Sequence, residues 1–126
     1  PLPQATSVPE PKEVTLLLQM FKEGHIWKES DFSMSSLAAE TGLSPRKVSY
    51  ILNRHLGGNF NTVTNHYRIQ YAKELIEEGY LDEFTLDALK DKCGYRNRVS
   101  FFKAFKRNTG MTPSEYRSSL QCDSTR

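Results

Sequence analysis

The sequence predicts an all-α protein in which two short helical hairpins of the same pattern are joined by a long central helix. Three observations carry this. Apolar residues recur at helical spacing through most of the chain, and no segment sustains the alternation of a strand. A pattern of an aromatic residue, a hydroxyl, a leucine and a glycine occurs twice with identical offsets, as Phe32, Ser33, Leu37, Gly42 and as Phe84, Thr85, Leu89, Gly94. Each copy leads into a second helix that opens on a capping residue, Ser44 before Pro45 and Asn97 before Arg98.

Taken in order, the opening stretch PLPQATSVPEP (1–11) reads as a Pro-rich linker with nothing to bury. Because the chain starts with Pro rather than Met, it is expected to be the C-terminal piece of a longer protein. A first helix is predicted from near Pro11 to Gly24, with Val14, Leu17, Leu18 and Phe21 on one face and Ile26 and Trp27 in the connector that follows. The first hairpin spans about 33–56. Ser33 caps its first helix, Phe32 staples onto Leu37, and Gly42 ends it by accepting a left-handed conformation. In its second helix Val48, Ile51 and Leu52 form the inward stripe and leave Arg46, Lys47, Ser49, Tyr50 and Asn53 outward.

The linking helix is predicted over 61–78 on the spacing of Val63, Tyr67, Tyr71, Leu75 and Ile76. The second hairpin spans about 85–109, with Thr85 as cap, Phe84 stapled onto Leu89, Gly94 as terminator, and Phe101 and Phe105 inward. Its outward set is Val99, Ser100, Lys103 and Lys106, with Arg96 and Arg98 at the helix entrance, and Phe102 is expected to pack. Thr112, Pro113 and Glu115 form a capping box for a short last helix through Tyr116 and Arg117. The folded domain is therefore expected over 12–117, and 118–126 as a tail.

Charge is segregated along the chain. Of 126 residues 25% are charged and the net charge is only +2, yet no Asp or Glu occurs between Ser44 and Lys73, where Arg46, Lys47, Arg54, Arg68 and Lys73 stand. The acids gather instead at Glu74, Glu77, Glu78, Asp82 and Glu83 and in the N-terminal third. Such segregation suggests a basic face.

Other classes find little support. Cys93 and Cys122 are isolated, which fits neither a disulfide framework nor a zinc site and suits a reducing, cytoplasmic setting. His25, His55 and His66 show no metal-ligand spacing, no nucleophile elbow or phosphate loop frames the Ser, His and Asp residues, and so no enzyme, metal or cofactor is expected. No apolar run reaches the length of a membrane span, so a soluble segment without direct membrane contact is expected.

A helix, a glycine-containing turn and a second helix with a polar outer face is the helix-turn-helix signature, and here it occurs twice with basic outer faces. The partner this implies is double-stranded DNA. A helical protein-interaction module docking an acidic partner through the same basic face is the alternative; it shares the linking helix but does not call for an acid-free N-terminal half. At ~1.5 Å per residue the linking helix is ~27 Å long, against ~34 Å between successive major-groove faces.

The segment YRIQYAKELI (Tyr67 to Ile76) and the spaced set Gly94, Tyr95, Phe101, Phe105, Lys106, Gly110, Thr112, Pro113 and Tyr116 resemble the AraC/XylS family DNA-binding domain, over roughly Phe32 to Arg117. The resemblance implies a homeodomain-like, two-lobed domain of seven helices that regulates transcription, commonly by contacting RNA polymerase. Within the family, LNRHLGGNF (Leu52 to Phe60) is most similar to a subgroup in which this domain terminates larger sensor proteins, some of them membrane-anchored. An N-terminal sensor or dimerisation domain is implied accordingly. By the resemblance, the base-reading positions are Arg46, Ser49 and Tyr50 in the first unit and Val99, Ser100 and Lys103 in the second. Lys47, Asn53, Arg96, Arg98, Lys106 and the helix N-terminus at Thr112 complete the expected DNA face. Two residues depart from the family pattern: Lys90 stands where a small Ala is usual and is expected to snorkel its amine to water, and Tyr95 stands where Phe is usual.

Overall fold

A computed structural model describes the backbone of residues 10–124 and the side chains of residues 10–120. Among these residues the chain forms α1 (Pro11–Lys22), a 3-10 turn (Ile26–Lys28), α2 (Met34–Thr41), α3 (Pro45–His55), α4 (Phe60–Glu77), α5 (Tyr80–Glu83), α6 (Leu86–Lys92), α7 (Arg98–Thr109) and α8 (Pro113–Ser124). The stretch expected as a linker lies outside the described residues apart from Glu10 and Pro11, which open α1. The chain divides into two compact units, one made of 10–27 with 31–64 and the other of 28–30 with 65–124.

In the first unit, α1 and α2 both pack on α3. An 11-residue helix such as α3 is marginal in water by itself, so it exists by burying one stripe. Val48, Ile51 and Leu52 are fully buried, together with Leu17 and Phe21 of α1 and Leu37 of α2. Trp27 closes the lower edge of α1: its indole Nε1 donates to the Phe21 carbonyl at 2.7 Å, which satisfies the one polar atom of a buried ring. Phe32, the residue ahead of the Ser33 cap, lies edge-on to Phe21 with centroids 5.9 Å apart and 5.0 Å from Phe60.

In the second unit the core is Ile69, Ala72 and Ile76 of α4, Leu89 of α6, Cys93 and Tyr95 of the turn, and Phe101, Ala104 and Phe105 of α7. Burial pushes the Cys93 thiol up to about 12, so it is a core residue rather than a reactive one. Tyr116 of α8 lies edge-on to Phe105 at 5.7 Å and its hydroxyl donates to the Glu77 carboxylate. Arg117 pairs with Asp82 at 2.5 Å. The connector 28–30 is held to this unit by Arg68, which donates to the Glu29 carbonyl at 2.9 Å, and by Lys28, whose ammonium lies 4.2 Å from the Tyr71 ring centre.

Four local readings of the sequence need correction. On α4 the buried residues are Val63, Thr64, Ile69, Ala72 and Ile76, while Tyr67, Tyr71 and Leu75 are half-buried, so the inward stripe runs beside the one expected. Phe84, expected as a staple, is 50% exposed and stacks on Tyr80 at 4.5 Å, while Leu89 is fully buried. The short helix α5 between α4 and the second hairpin was not foreseen. The last helix does not stop near Arg117 but runs to Ser124.

Among the described residues one buried side-chain polar atom has no partner: Thr64 is 4% exposed and its Oγ1 makes no hydrogen bond. A buried hydroxyl left unpaired costs more than the methyl that would replace it. Thr64→Val should therefore stabilise the protein by about 1 kcal/mol, read as a higher urea midpoint at unchanged slope.

Candidate nucleic-acid interface

The two hairpins present their second helices by the same device. After α2, Gly42 takes φ 74°, and after α6, Gly94 takes φ 93°, a region any residue with a Cβ adopts only under strain. The chain then turns into α3 and α7, whose first turns are fixed by side-chain caps. Ser44 Oγ accepts from the Lys47 backbone N–H at 3.2 Å, and Asn97 Oδ1 accepts from that of Ser100 at 2.8 Å. Thr85 Oγ1 likewise accepts from Ala88 N–H at 3.1 Å at the start of α6. With the stripe of each second helix buried, the opposite face is set.

On α3 that face carries Arg46, Tyr50, Asn53 and Arg54 exposed, with Ser49 half-buried. Tyr50 is 42% exposed with the Arg54 guanidinium 5.7 Å from its ring centre, and Asn53 spends its amide on the Ser49 carbonyl at 2.9 Å. On α7 the exposed set is Arg98, Val99, Ser100, Lys103, Lys106 and Arg107, following Arg96 in the turn; Val99 is 63% exposed. Among the described residues the side chains of Arg46, Lys103 and Lys106 make no hydrogen bond or ion pair, so their charges are available to a polyanion.

Three expected cations are already engaged. Lys47 does not point outward: its ammonium is 3.2 Å from Glu13 of α1, and the two side chains are only 19% and 17% exposed. Arg98 donates from Nε at 3.2 Å and from its terminal nitrogen at 2.8 Å to Asp87 Oδ1 on α6, in an exposed pair. Lys90 keeps its stem covered and ends its amine on exposed protein groups at the surface. Its side chain is 12% exposed, and its amine donates to Asp91 at 2.7 Å and to the Arg96 carbonyl at 3.3 Å, so it braces the turn that leads into α7. The second departure, Tyr95, is also satisfied internally: its hydroxyl donates to Asn65 Oδ1 at 2.5 Å, and Arg68 lies 5.2 Å from its ring centre.

The capping box at α8 forms as read. Thr112 N–H donates to Glu115 Oε1 at 2.9 Å and Glu115 N–H donates to Thr112 Oγ1 at 3.2 Å. These bonds occupy two of the terminal N–H groups, Pro113 has none, and a carboxylate stands on the helix end. Thr112 therefore caps α8, with the Glu115 carboxylate standing on the helix end beside it.

Sequence reasoning missed Glu13 and Asp87, the partners of Lys47 and Arg98. The spacing of Glu10 and Glu13 across Pro11 does signal a cap, and Glu10 N–H indeed donates to Glu13 Oε1 at 2.8 Å. Nothing local connects Glu13 to a lysine 34 positions away.

Residues 37–119 match the family described as Helix-turn-helix domain. The chain is 27% identical over 89 residues to the uncharacterized HTH-type transcriptional regulator YtdP of Bacillus subtilis (strain 168), covering 71% of this chain and 11% of that protein. It is 28% identical over 93 residues to the arabinose operon regulatory protein of Escherichia coli (strain K12), covering 74% of this chain and 31% of that protein. The chain thus spans about a tenth of the first relative and under a third of the second. Among solved structures, the C-terminal domain of AraT, a response regulator from Geobacillus stearothermophilus, superposes with a TM-score of 0.75 at 25% identity, over 87% of this chain and 86% of that one.

Three carboxylates around these helices are held below their ordinary values of 4.5 for Glu and 3.8 for Asp. The Glu10 N–H and then Lys47 act on Glu13, Arg98 on Asp87, and the Thr112 N–H on Glu115. A carboxylate whose value is depressed by folding contributes stability that is present above its unfolded value and lost as pH falls through its folded one. Melting temperature should therefore owe nothing to these groups' titration above pH ~5 and should drop below pH ~4. In the triple variant Glu13→Gln, Asp87→Asn, Glu115→Gln that acid-side drop should be shallower.

Proposed function

Because the chain belongs to the AraC-type helix-turn-helix family of DNA-binding transcription regulators, we propose that it reads duplex DNA by inserting α3 and α7 into adjacent major grooves. The observation that carries this is the pair of capped helices, each with a buried apolar stripe and, opposite it, exposed cations that make no hydrogen bond or ion pair among the described residues, Arg46 on α3 and Lys103 and Lys106 on α7. Arg46, Ser49 and Tyr50 form one base-reading set and Val99, Ser100 and Lys103 the other. Arginine is suited to a bidentate contact with guanine, and Tyr50 and Val99 to thymine methyls. Asn53, Arg96 and Lys106 contribute to backbone positioning.

The same proposal includes a cytoplasmic site of action and a contact with RNA polymerase. It also includes a place at the C-terminal end of a larger regulator with a sensor or dimerisation domain, membrane-anchored in some relatives. What supports these is the likeness to the AraC/XylS family. Among the described residues no helix is long and apolar enough to cross a membrane.

Footprinting on a duplex selected from a random pool should show protection on one face over about two turns, roughly 20 bp. Protection limited to a single groove would remove one of the two readers. Equal affinity for selected and random duplexes would leave protein docking as the use of the basic face.

Single substitutions separate the roles within the interface. Arg46→Ala should cost about 1 to 3 kcal/mol on the selected duplex and relax preference at one or two base pairs, whereas Lys106→Ala should weaken all duplexes alike. An Arg46→Ala variant that loses affinity equally for selected and random DNA would make Arg46 a phosphate anchor instead.

A further inference from the structure

Of the ion pairs among the described residues, that between Glu13 and Lys47 is the one in which both side chains are mostly buried; the other four each keep at least one side chain more than 60%, or both more than 55%, exposed. Its geometry is built on both sides. Glu13 Oε1 accepts from the backbone N–H of Glu10 at 2.8 Å, which fixes the carboxylate at the first turn of α1, while Oε2 accepts from Lys47 Nζ at 3.2 Å. Lys47 follows Arg46 in the first turn of α3, the part of a recognition helix that meets the groove, and its backbone N–H is tied to Ser44. A cation at this position would ordinarily displace a counterion from a phosphate of any sequence. Here it is directed to α1.

We propose that Glu13 is a positioning residue that withholds Lys47 from the DNA backbone. α3 then meets the groove with Arg46 as its first-turn cation, and sequence-independent attraction is reduced by one phosphate contact. The consequence follows from the linkage between charge and counterion release. Pairing in the protein must be broken before Lys47 can serve a phosphate, and a pair shielded from solvent is little screened by salt. The carboxylate that restrains it belongs to α1, outside the hairpin, so one sequence-independent contact of α3 is governed from a different helix. This inference rests on the proposed DNA-binding role of α3.

The test is the salt dependence of binding to a random-sequence duplex by the full chain and two variants. Glu13→Gln keeps an acceptor for the Glu10 N–H and removes the charge. It should steepen the slope of log K against log salt by about 0.9, one phosphate contact, so that the loss of affinity between about 50 and about 200 mM salt grows about 3.5-fold. Adding Lys47→Met to Glu13→Gln should bring the slope back to that of the parent. Melting curves of both variants establish that each is folded under the binding conditions, and a purely structural pair would lower the melting temperature without moving the slope. A parent that binds duplex DNA with salt dependence, together with a Glu13→Gln slope equal to the parent's, would overturn the restraint on Lys47 and leave the DNA-binding reading standing. A steeper slope that persists when Lys47 is Met would overturn it too. A parent with no salt-dependent duplex binding would overturn both.

Discussion

Burial of one narrow stripe on each second helix is the constraint from which the rest follows. α3 and α7 have 11 and 12 residues, too few to persist in water without packing. Val48, Ile51 and Leu52 hold the first in place and Phe101, Ala104 and Phe105 the second. Once these residues face inward, the 3.6-residue period leaves no freedom in what faces outward. Arg46, Tyr50 and Asn53 on one helix and Val99, Ser100, Lys103 and Lys106 on the other are exposed as a consequence of packing. The exposed polar face and the core are two sides of one decision.

Around this scaffold, the cations divide into those that are spent and those that are not. Lys47 is paired with Glu13, Arg98 with Asp87, and Lys90 with Asp91 and the Arg96 carbonyl. Each of these links a second helix, or the turn leading into it, to the helix that precedes it in the packing, so charge is used there to aim the helix. Arg46, Lys103 and Lys106 carry no such bond among the described residues. An exposed pair such as Arg98 with Asp87 is worth little in stability, whereas a shielded pair such as Lys47 with Glu13 is less screened by salt. Within the basic stretch from Ser44 to Lys73, Lys47 is paired with Glu13 and Arg68 donates to the Glu29 carbonyl, so its charge is less uniformly available than its composition implies.

The sequence by itself determined the helices, their caps, the repeated hairpin and the side of each second helix that is buried. All of these rest on interactions between residues within a few positions of one another: Ser44 with Lys47, Asn97 with Ser100, Thr112 with Glu115, and a stripe repeating every three or four residues. The tertiary structure alone decided which exposed-looking cations are free. Glu13 reaches Lys47 across 34 positions and Asp87 reaches Arg98 across 11. It also decided that the Lys90 amine bonds to Asp91 and the Arg96 carbonyl and that Phe84 stays half in solvent. Helical periodicity states which way a side chain leaves its own helix, while an ion pair depends on which other helix lies alongside, and that is fixed only when the cores have packed.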